Sequence, residues 1–489
     1  MQHDVVAIVP ELMLVAAALV LLLIDPFLPA KGRRGLSWLG IMACLPAAAS
    51  VWLARSQQFS TFSHGIALDG FAVFFKILLL AVAALAMLLS EKHLARNGRL
   101  LGDYYALVLL ATVGMMVMAS AIDLATFFVG LELMALSSYL LAGFFRHQLR
   151  SIEASLKYFL TGSFASAILL FGMALLYGLT GSTNYQQISI AIGSGSLDGH
   201  VIVIAVVLLL GGFAFKVAAA PFHGWAPDVY QGAPTPAAAF LSVGPKIAAF
   251  AAIIKFFTIM LGSEQARWVP LMIVVAIATM LIGATMALLQ HDLKRMLAFS
   301  SIAHVGYLLL ALIAAGQSHS NFGSSAILFY LAAYAAMNMG AFGVLVFLAN
   351  SARFNDSLDE MAGLARRFPG AAGVMAVLMF SLAGIPPTAG FLAKFYLFAS
   401  VVDAGYAWLA VIGVLFSVVS AFYYLRVIVY MYMREPEPEV AAVMEPGGGR
   451  SWDLSLGLGL ATAVVIVLGV LPAPVLNAAQ DAVAKILGS

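Results

Sequence analysis

Charge is scarce in this sequence. Only 10% of its 489 residues are Asp, Glu, Lys or Arg, against about 25% in an ordinary soluble domain. That scarcity excludes a large solvated body and points to an integral membrane protein with little outside the bilayer. Cysteine is nearly absent as well. The lone Cys44 excludes an internal disulfide framework and a cysteine metal centre. There is no P-loop, no glycine-rich dinucleotide turn, no CxxC pair and no cluster with metal-ligand spacing. The chain is therefore expected to hold neither nucleotide nor redox cofactor nor metal. Any ion movement must draw on a gradient or on a partner subunit. A net charge of +2 offers nothing to a polyanion, so no nucleic-acid role is expected. The start, Gln2-His3-Asp4, has no basic region and no cleavage motif, so the first apolar run reads as a retained span.

What the sequence does have is apolar length, since 63% of the residues are hydrophobic. Runs of about 20 apolar residues can each cross a bilayer. Fourteen lie at 5–28, 36–54, 71–90, 103–121, 123–145, 154–178, 200–223, 236–261, 270–289, 295–315, 322–349, 370–400, 406–432 and 453–472. The fourth and fifth are almost continuous. Loop charge supports the count. With the N-terminus outside, the cytoplasmic loops hold Lys31, Arg33, Arg34, Lys92, Arg96, Arg99, Arg146, Arg150, Lys294, Arg295, Arg353, Arg366, Arg367, Arg434 and Arg450. The opposite side holds only Arg55, Arg267 and Lys485. That asymmetry obeys the positive-inside rule and puts both termini outside. The segment from Arg434 to Arg450, rich in Glu, Pro and Gly, reads as a linker. Residues 475–487 set Val475, Leu476, Ala479, Val483 and Ile486 against Asn477, Gln480, Asp481 and Lys485, the pattern of a short helix in the outer interface.

A faint repeat runs through the chain. Ala121-Ile122-Asp123-Leu124 opens the fifth span, and Gln290-His291-Asp292-Leu293 opens the tenth, 169 residues on. Phe215 and Pro221 in the seventh parallel Phe380 and Pro386 in the twelfth, 165 residues on. A tandem repeat of five spans must be inverted in the membrane, a signature of transporters when matching helices are interrupted. The expected fold is an all-α polytopic membrane protein of about fourteen transmembrane helices. Its two inverted five-helix repeats are spans 4–8 and 9–13, and spans 7 and 12 are broken. The expected divisions are 1–102, three N-terminal spans; 103–261, the first repeat; 270–432, the second, inverted repeat; and 433–489, a loop, the last span and the interfacial helix.

The chemistry lies in charges that the apolar runs should exclude. Each costs at least ~2.5–3.5 kcal/mol on insertion scales, so such residues usually mark an ion or proton path. Lys157, Lys216, Lys246, Lys394, Glu132 and His304 recur through both halves. Pro221 interrupts the seventh span beside Lys216 and His223, and Pro386 and Pro387 interrupt the twelfth ahead of Lys394. Broken backbone at membrane depth is tolerated where it is buried in protein or lines a hydrated cavity; the plainer reading is a kink. Glu132 reads as a partner for Lys216 or as a simple polar helix contact. Burial disfavours the charged form of both groups and pairing favours it, so a Glu–Lys pair that opens acts as a proton switch. Lys157 stands near a span end and is able to snorkel instead. His304, beside Ser300 and Ser301, reads as a relay near neutral pH or as a satisfied core histidine, and His223 is similar. Lys76, Lys255 and Arg426 lie nearer span ends and read as interfacial anchors.

At these residues the chain resembles a known family. The stretch Phe215-Lys216-Val217-Ala218-Ala219-Ala220-Pro221-Phe222-His223-Gly224-Trp225-Ala226-Pro227-Asp228-Val229-Tyr230-Gln231-Gly232-Ala233-Pro234-Thr235-Pro236 is similar to the seventh-helix signature of the antiporter-like membrane subunits of respiratory complex I and of multisubunit sodium/proton antiporters. Its ending, and Ser381-Leu382-Ala383-Gly384-Ile385-Pro386-Pro387-Thr388-Ala389-Gly390-Phe391-Leu392-Ala393-Lys394-Phe395, resemble the subunit N branch of bacterial NADH–quinone oxidoreductase. The resemblance covers essentially the whole chain. It implies an H+-translocating subunit of a respiratory-chain translocase in the bacterial inner membrane, with sister antiporter-like subunits and the lipid bilayer as partners. Flavin, iron–sulfur clusters and quinone (ubiquinone or a relative) are implied for partner subunits, not for this chain. Glu132 and Lys216 would be the switching pair, Lys246 the central relay and Lys394 the terminal group, with Lys157, His223 and His304 accessory. The rival readings are a subunit of a multisubunit cation/proton antiporter and a membrane scaffold that only bridges its neighbours.

Overall fold

The structure is a computed structural model that describes residues 2–29, 32–56, 59–62, 65–98, 101–317, 321–351, 354–435 and 451–487. Most of the expected linker therefore lies outside the described residues. Among the described residues, thirteen helices are long and apolar enough to cross a membrane. The remaining expected span, 370–400, is present as two half-helices, Pro369–Ala383 and Ala389–Asp403. The chain is a multi-pass membrane protein. The near-continuous fourth and fifth runs separate because Asp123 caps a new helix, its carboxylate accepting from Ala125 N at 2.9 Å and Thr126 N at 3.1 Å.

Three helices, Thr235–Ile254, Leu293–Gln317 and Phe322–Ser351, are buried almost all round and make the centre of the bundle. A helix that is apolar on every face is at home in such a core. Outer helices such as Leu149–Thr180 and Ala407–Met433 expose Phe164, Phe171, Val418 and Phe422, as a lipid-facing surface requires.

Two elements depart from the sequence reading. A short antiparallel ribbon, Phe59–Thr61 with Ile66–Leu68, joins the second and third spans in an otherwise all-α chain. The terminal helix Ala473–Leu487 is amphipathic, but it turns Ala479, Ala482, Val483 and Ile486 onto the bundle, where they are buried. It packs against the helices Gly70–Arg96 and Phe322–Ser351. Its apolar face thus covers protein.

Both interrupted spans end in the same way. The helix Gly199–Val217 stops at Ala218, in the left-handed region at φ 60°, and Ala219 N reaches back to Ala214 O at 2.7 Å. The half-helix Pro369–Ala383 stops at Gly384, φ 89°, and Ile385 N reaches back to Phe380 O at 3.0 Å. These caps are 166 positions apart. By this backbone match Pro221 corresponds to Pro387, one residue beyond the sequence pairing with Pro386. A single-residue slip is invisible to a match carried by one Phe and one Pro.

Candidate functional site

Lys216 occupies the last turn of its half-helix and is buried. Side chains take up two of the backbone groups at the break that follows. Trp225 Nε1 donates to Phe215 O at 3.0 Å, and Ala220 N donates to Thr279 Oγ1 at 2.9 Å. The chain then resumes as the short helix Trp225–Gly232. Lys216 Nζ donates to Ser166 Oγ at 3.0 Å, on the neighbouring helix Leu149–Thr180. A cation here also meets the negative end of the half-helix dipole.

Glu132 lies mid-way along the helix Leu124–Ala142, half-buried. Its charge acts on Lys216, but the two are not joined: the ion pairs of the described residues, drawn at 4.0 Å, do not include them. Glu132 Oε1 is buried without a hydrogen-bond partner. His223, in the break, is half-buried and its Nδ1 is likewise unpartnered.

Lys246 follows Pro245 inside the central helix Thr235–Ile254 and is buried. Its Nζ donates to Ser301 Oγ and, at 3.2 Å, to Tyr230 Oη. Tyr334 Oη donates to the same Ser301 oxygen at 2.7 Å. One turn along, His304 is hydrogen-bonded on both ring nitrogens, Nδ1 to Tyr330 Oη and Nε2 to Tyr424 Oη at 2.9 Å. Tyr424 is bonded in turn to Ser300. The His304 ring packs 5.2 Å from the Tyr334 ring. Lys394 closes the line at the second break. Its Nζ donates to Leu382 O at 2.9 Å, Ala383 O at 3.0 Å and Ser417 Oγ at 2.9 Å, and lies 5.6 Å from the Tyr307 ring centroid. It thus caps the orphan carbonyls of the half-helix Pro369–Ala383. The structure brings Lys246, His304 and Lys394 into one polar core with five tyrosines and several serines.

Lys157 stands apart from that core. Its side chain is 46% exposed and is paired with Glu153 at 2.7 Å and Asp228 at 2.9 Å. Asp228 also holds Arg295 at 2.7 Å. Arg295 donates to Gln231 Oε1 at 3.0 Å, and Gln231 donates to Asp292 Oδ2 at 2.7 Å. This network ties the short helix Trp225–Gly232 to both halves of the chain and borders an open cavity of about 210 Å³ lined by Arg150, Glu153, Lys157, Asp228 and Gln231. Burial raises the Asp228 carboxyl, but its bonds to Lys157 and Arg295 outweigh that and hold it below the usual carboxylate range. The sequence offered Asp228 and Gln231 no site role and Arg295 only a place among the cytoplasmic loop charges. The only signal for Asp228 and Gln231 was their i, i+3 spacing on a short helix.

Lys76 and Lys255 are not interfacial anchors. Both are fully buried. Lys76 pairs with Glu11 at 2.8 Å and donates to Ala7 O at 3.1 Å. Lys255 caps the helix Leu101–Ser120 through Ala119 O at 2.7 Å and Ala121 O at 3.2 Å. Arg426 similarly donates to Leu288 O and Gln290 O. Nearness to a span end in sequence hid these tertiary carbonyl acceptors. Among the described residues, no group of three or more His, Cys, Asp or Glu is arranged to hold a metal ion.

Residues 121–420 match the protein family described as NADH:quinone oxidoreductase/Mrp antiporter, TM. NADH-quinone oxidoreductase subunit N of Trichlorobacter lovleyi is 47% identical over 425 residues, spanning 87% of this chain and 86% of the relative. Subunit N 2 of Roseiflexus castenholzii is 43% identical over 475 residues, or 95% and 94% of the two chains. Among solved structures, a chain of respiratory complex I from Thermus thermophilus superposes with a TM-score of 0.79 at 33% identity, covering 97% of this chain and 100% of that one. A chain of the Mrp complex from Dietzia superposes with a TM-score of 0.84, covering 99% and 97%; at 23% identity it speaks for the fold alone.

Proposed function

The chain belongs to the NADH–quinone oxidoreductase/Mrp antiporter membrane family, in its subunit N branch, and from that premise we propose that it carries protons across the bacterial inner membrane for an NADH–quinone oxidoreductase. The observation that carries the reading is the placement of three buried lysines. Lys216 and Lys394 sit at the two helix breaks, and Lys246 lies in the most buried helix between them. Ions kept in that position have no role in lipid contact, and each reaches a hydroxyl suited to proton exchange.

In this reading Lys216 is the input group, and Glu132 governs whether it keeps its proton. The open distance between them describes the released arm of the switch: with no carboxylate in contact, the lone ammonium is destabilised and gives up its proton. Lys246, His304 and the surrounding tyrosine hydroxyls relay it, and Lys394 delivers it. Lys157, paired with Asp228 beside the open cavity, serves as an entry group at the cytoplasmic edge rather than as a member of the buried line. His223 is an accessory group at the first break. The common geometry of the two breaks supports two inverted five-helix units, 103–261 and 270–432, preceded by three spans in 1–102 and followed by 433–489. Both termini are outside by the loop-charge pattern. The driving reaction belongs to redox subunits of the same complex, which hold flavin, iron–sulfur clusters and quinone, with sister antiporter-like subunits as membrane neighbours.

The competing reading is a subunit of a multisubunit cation/proton antiporter, since the Dietzia Mrp chain shares the fold. The higher identity to subunit N relatives favours the first reading. Purification in mild detergent from the native membrane separates them. Recovery with flavin and iron–sulfur subunits and NADH–quinone activity is expected. Recovery with only small antiporter-like membrane subunits would reverse the assignment.

A further inference from the structure

The buried lysines fall into two chemical classes. Lys76 and Lys255 reach no hydroxyl: their partners are the Glu11 carboxylate and Ala7 O for the first, Ala119 O and Ala121 O for the second. Lys216, Lys246 and Lys394 each reach a serine hydroxyl, at Ser166, Ser301 and Ser417, Lys394 in addition to the carbonyls of Leu382 and Ala383. Each of these serines lies on a helix other than that of its lysine.

The serines are unusual in a second way. A helical serine commonly turns its hydroxyl onto its own preceding turn, as Ser120, Ser138 and Ser400 do here. None of the hydrogen bonds of Ser166, Ser301 and Ser417 goes to a backbone carbonyl; they face Lys216, Lys246 and Lys394, with Tyr334 and Tyr230 also beside Ser301 and Tyr307 beside Ser417. Their hydroxyls are thus not tied to their own helices.

A hydroxyl has one donor and two lone pairs, whereas an ammonium has three donors and no acceptor. A serine therefore accepts from the charged lysine and, after rotation about its C–O bond, donates to the neutral amine. A backbone carbonyl can do only the first, and a carboxylate can do the second only after taking up a proton itself. In a water-poor interior an unpartnered polar group is costly, so a lysine held only by acceptors is kept charged, while one on a hydroxyl is satisfied in either state. We propose that Ser166, Ser301 and Ser417 are positioning residues that let Lys216, Lys246 and Lys394 change charge without losing their partner, and that Lys76 and Lys255 are fixed structural cations outside the proton path.

The inference rests on the proton-carrying role of the three lysines, and its test separates the two. Ser301→Thr and Ser301→Val are close in shape and differ by the hydroxyl; Ser166 and Ser417 allow the same pair. The assembled complex in native membrane vesicles is assayed for NADH-driven proton uptake across a range of pH. The Thr variants are expected to pump within about two-fold of the parent and the Val variants about ten-fold more slowly, the loss of one charge-assisted hydrogen bond partly replaced by water. The pH range of fast pumping should also narrow in the Val variants, which a purely steric role would not produce. Lys76→Met and Lys255→Met should reduce the amount of complex assembled and leave the rate per assembled complex within about two-fold, as for a structural charge. Equal rates and pH profiles for Thr and Val variants, with Lys246→Ala still inactive, would overturn the serine role alone. Normal pumping by Lys246→Ala would overturn both.

Discussion

At the scale of single residues, lysines were easy to find and their partners were not. Lys216, Lys246 and Lys394 stand out because an apolar run tolerates no charge without a reason. Ser166, Ser301, Tyr334 and Tyr424 are ordinary residues of membrane helices, and only the packing of distant spans joins them to the lysines. Lys157 was readable as a special residue, but its exposure and its bond to Asp228 come from the position of a broken helix 71 residues away. Asp228 also yields a prediction. Its carboxyl titrates below the ordinary value of about 3.9 because Lys157 and Arg295 oppose the effect of burial. A group lowered in the folded state contributes stability that is present above its unfolded value and is lost as pH falls through the folded one. Asp228→Asn should therefore lower the melting temperature of the assembled complex at neutral pH, and parent and variant should converge in acid. A constant difference at all pH values would remove the ionised pair from the explanation.

At the scale of elements, the spans followed from apolar length and the breaks from Pro221, Pro386 and Pro387. What sequence spacing missed is the residue that ends each half-helix, Ala218 or Gly384, because a left-handed cap needs no proline and Ala seldom adopts it. Gly384 yields the clearest test. A Cβ there would lie 3.0 Å from Lys394 Cδ, at φ 89°. Gly384→Ala should destabilise the fold by about 1–2 kcal/mol from the backbone alone and lower the pumping rate by moving Lys394, as read by thermal denaturation and proton uptake together. In the first break the demand is reversed. Ala218→Gly removes the Cβ from a left-handed position, φ 60°, and should preserve or raise the melting temperature. A marked drop would show that the Ala218 methyl packs more than its backbone strains. The terminal helix was recognised by its amphipathic pattern, but the same pattern serves a membrane surface or a protein surface, and here the bundle supplies the surface.

At the scale of the whole molecule, fourteen crossings and a buried polar axis were readable before any coordinates, since bilayer thickness and loop charge are rules of the membrane rather than of the fold. Which helices form the centre was not readable, because outer and inner spans are almost equally apolar. The central trio carries Lys246, Ser301, His304, Tyr330 and Tyr334, so the part of the bundle hardest to hydrate is the part richest in exchangeable protons. A proton relay and a scaffold that only bridges its neighbours make opposite demands on that arrangement. NADH-driven proton uptake by vesicles containing the assembled complex with Lys246→Ala decides between the two. Proton translocation reduced at least about ten-fold, with the complex intact, is the outcome expected of a central relay. Parental proton uptake at parental NADH oxidation would contradict it and leave the buried lysines with a structural role only.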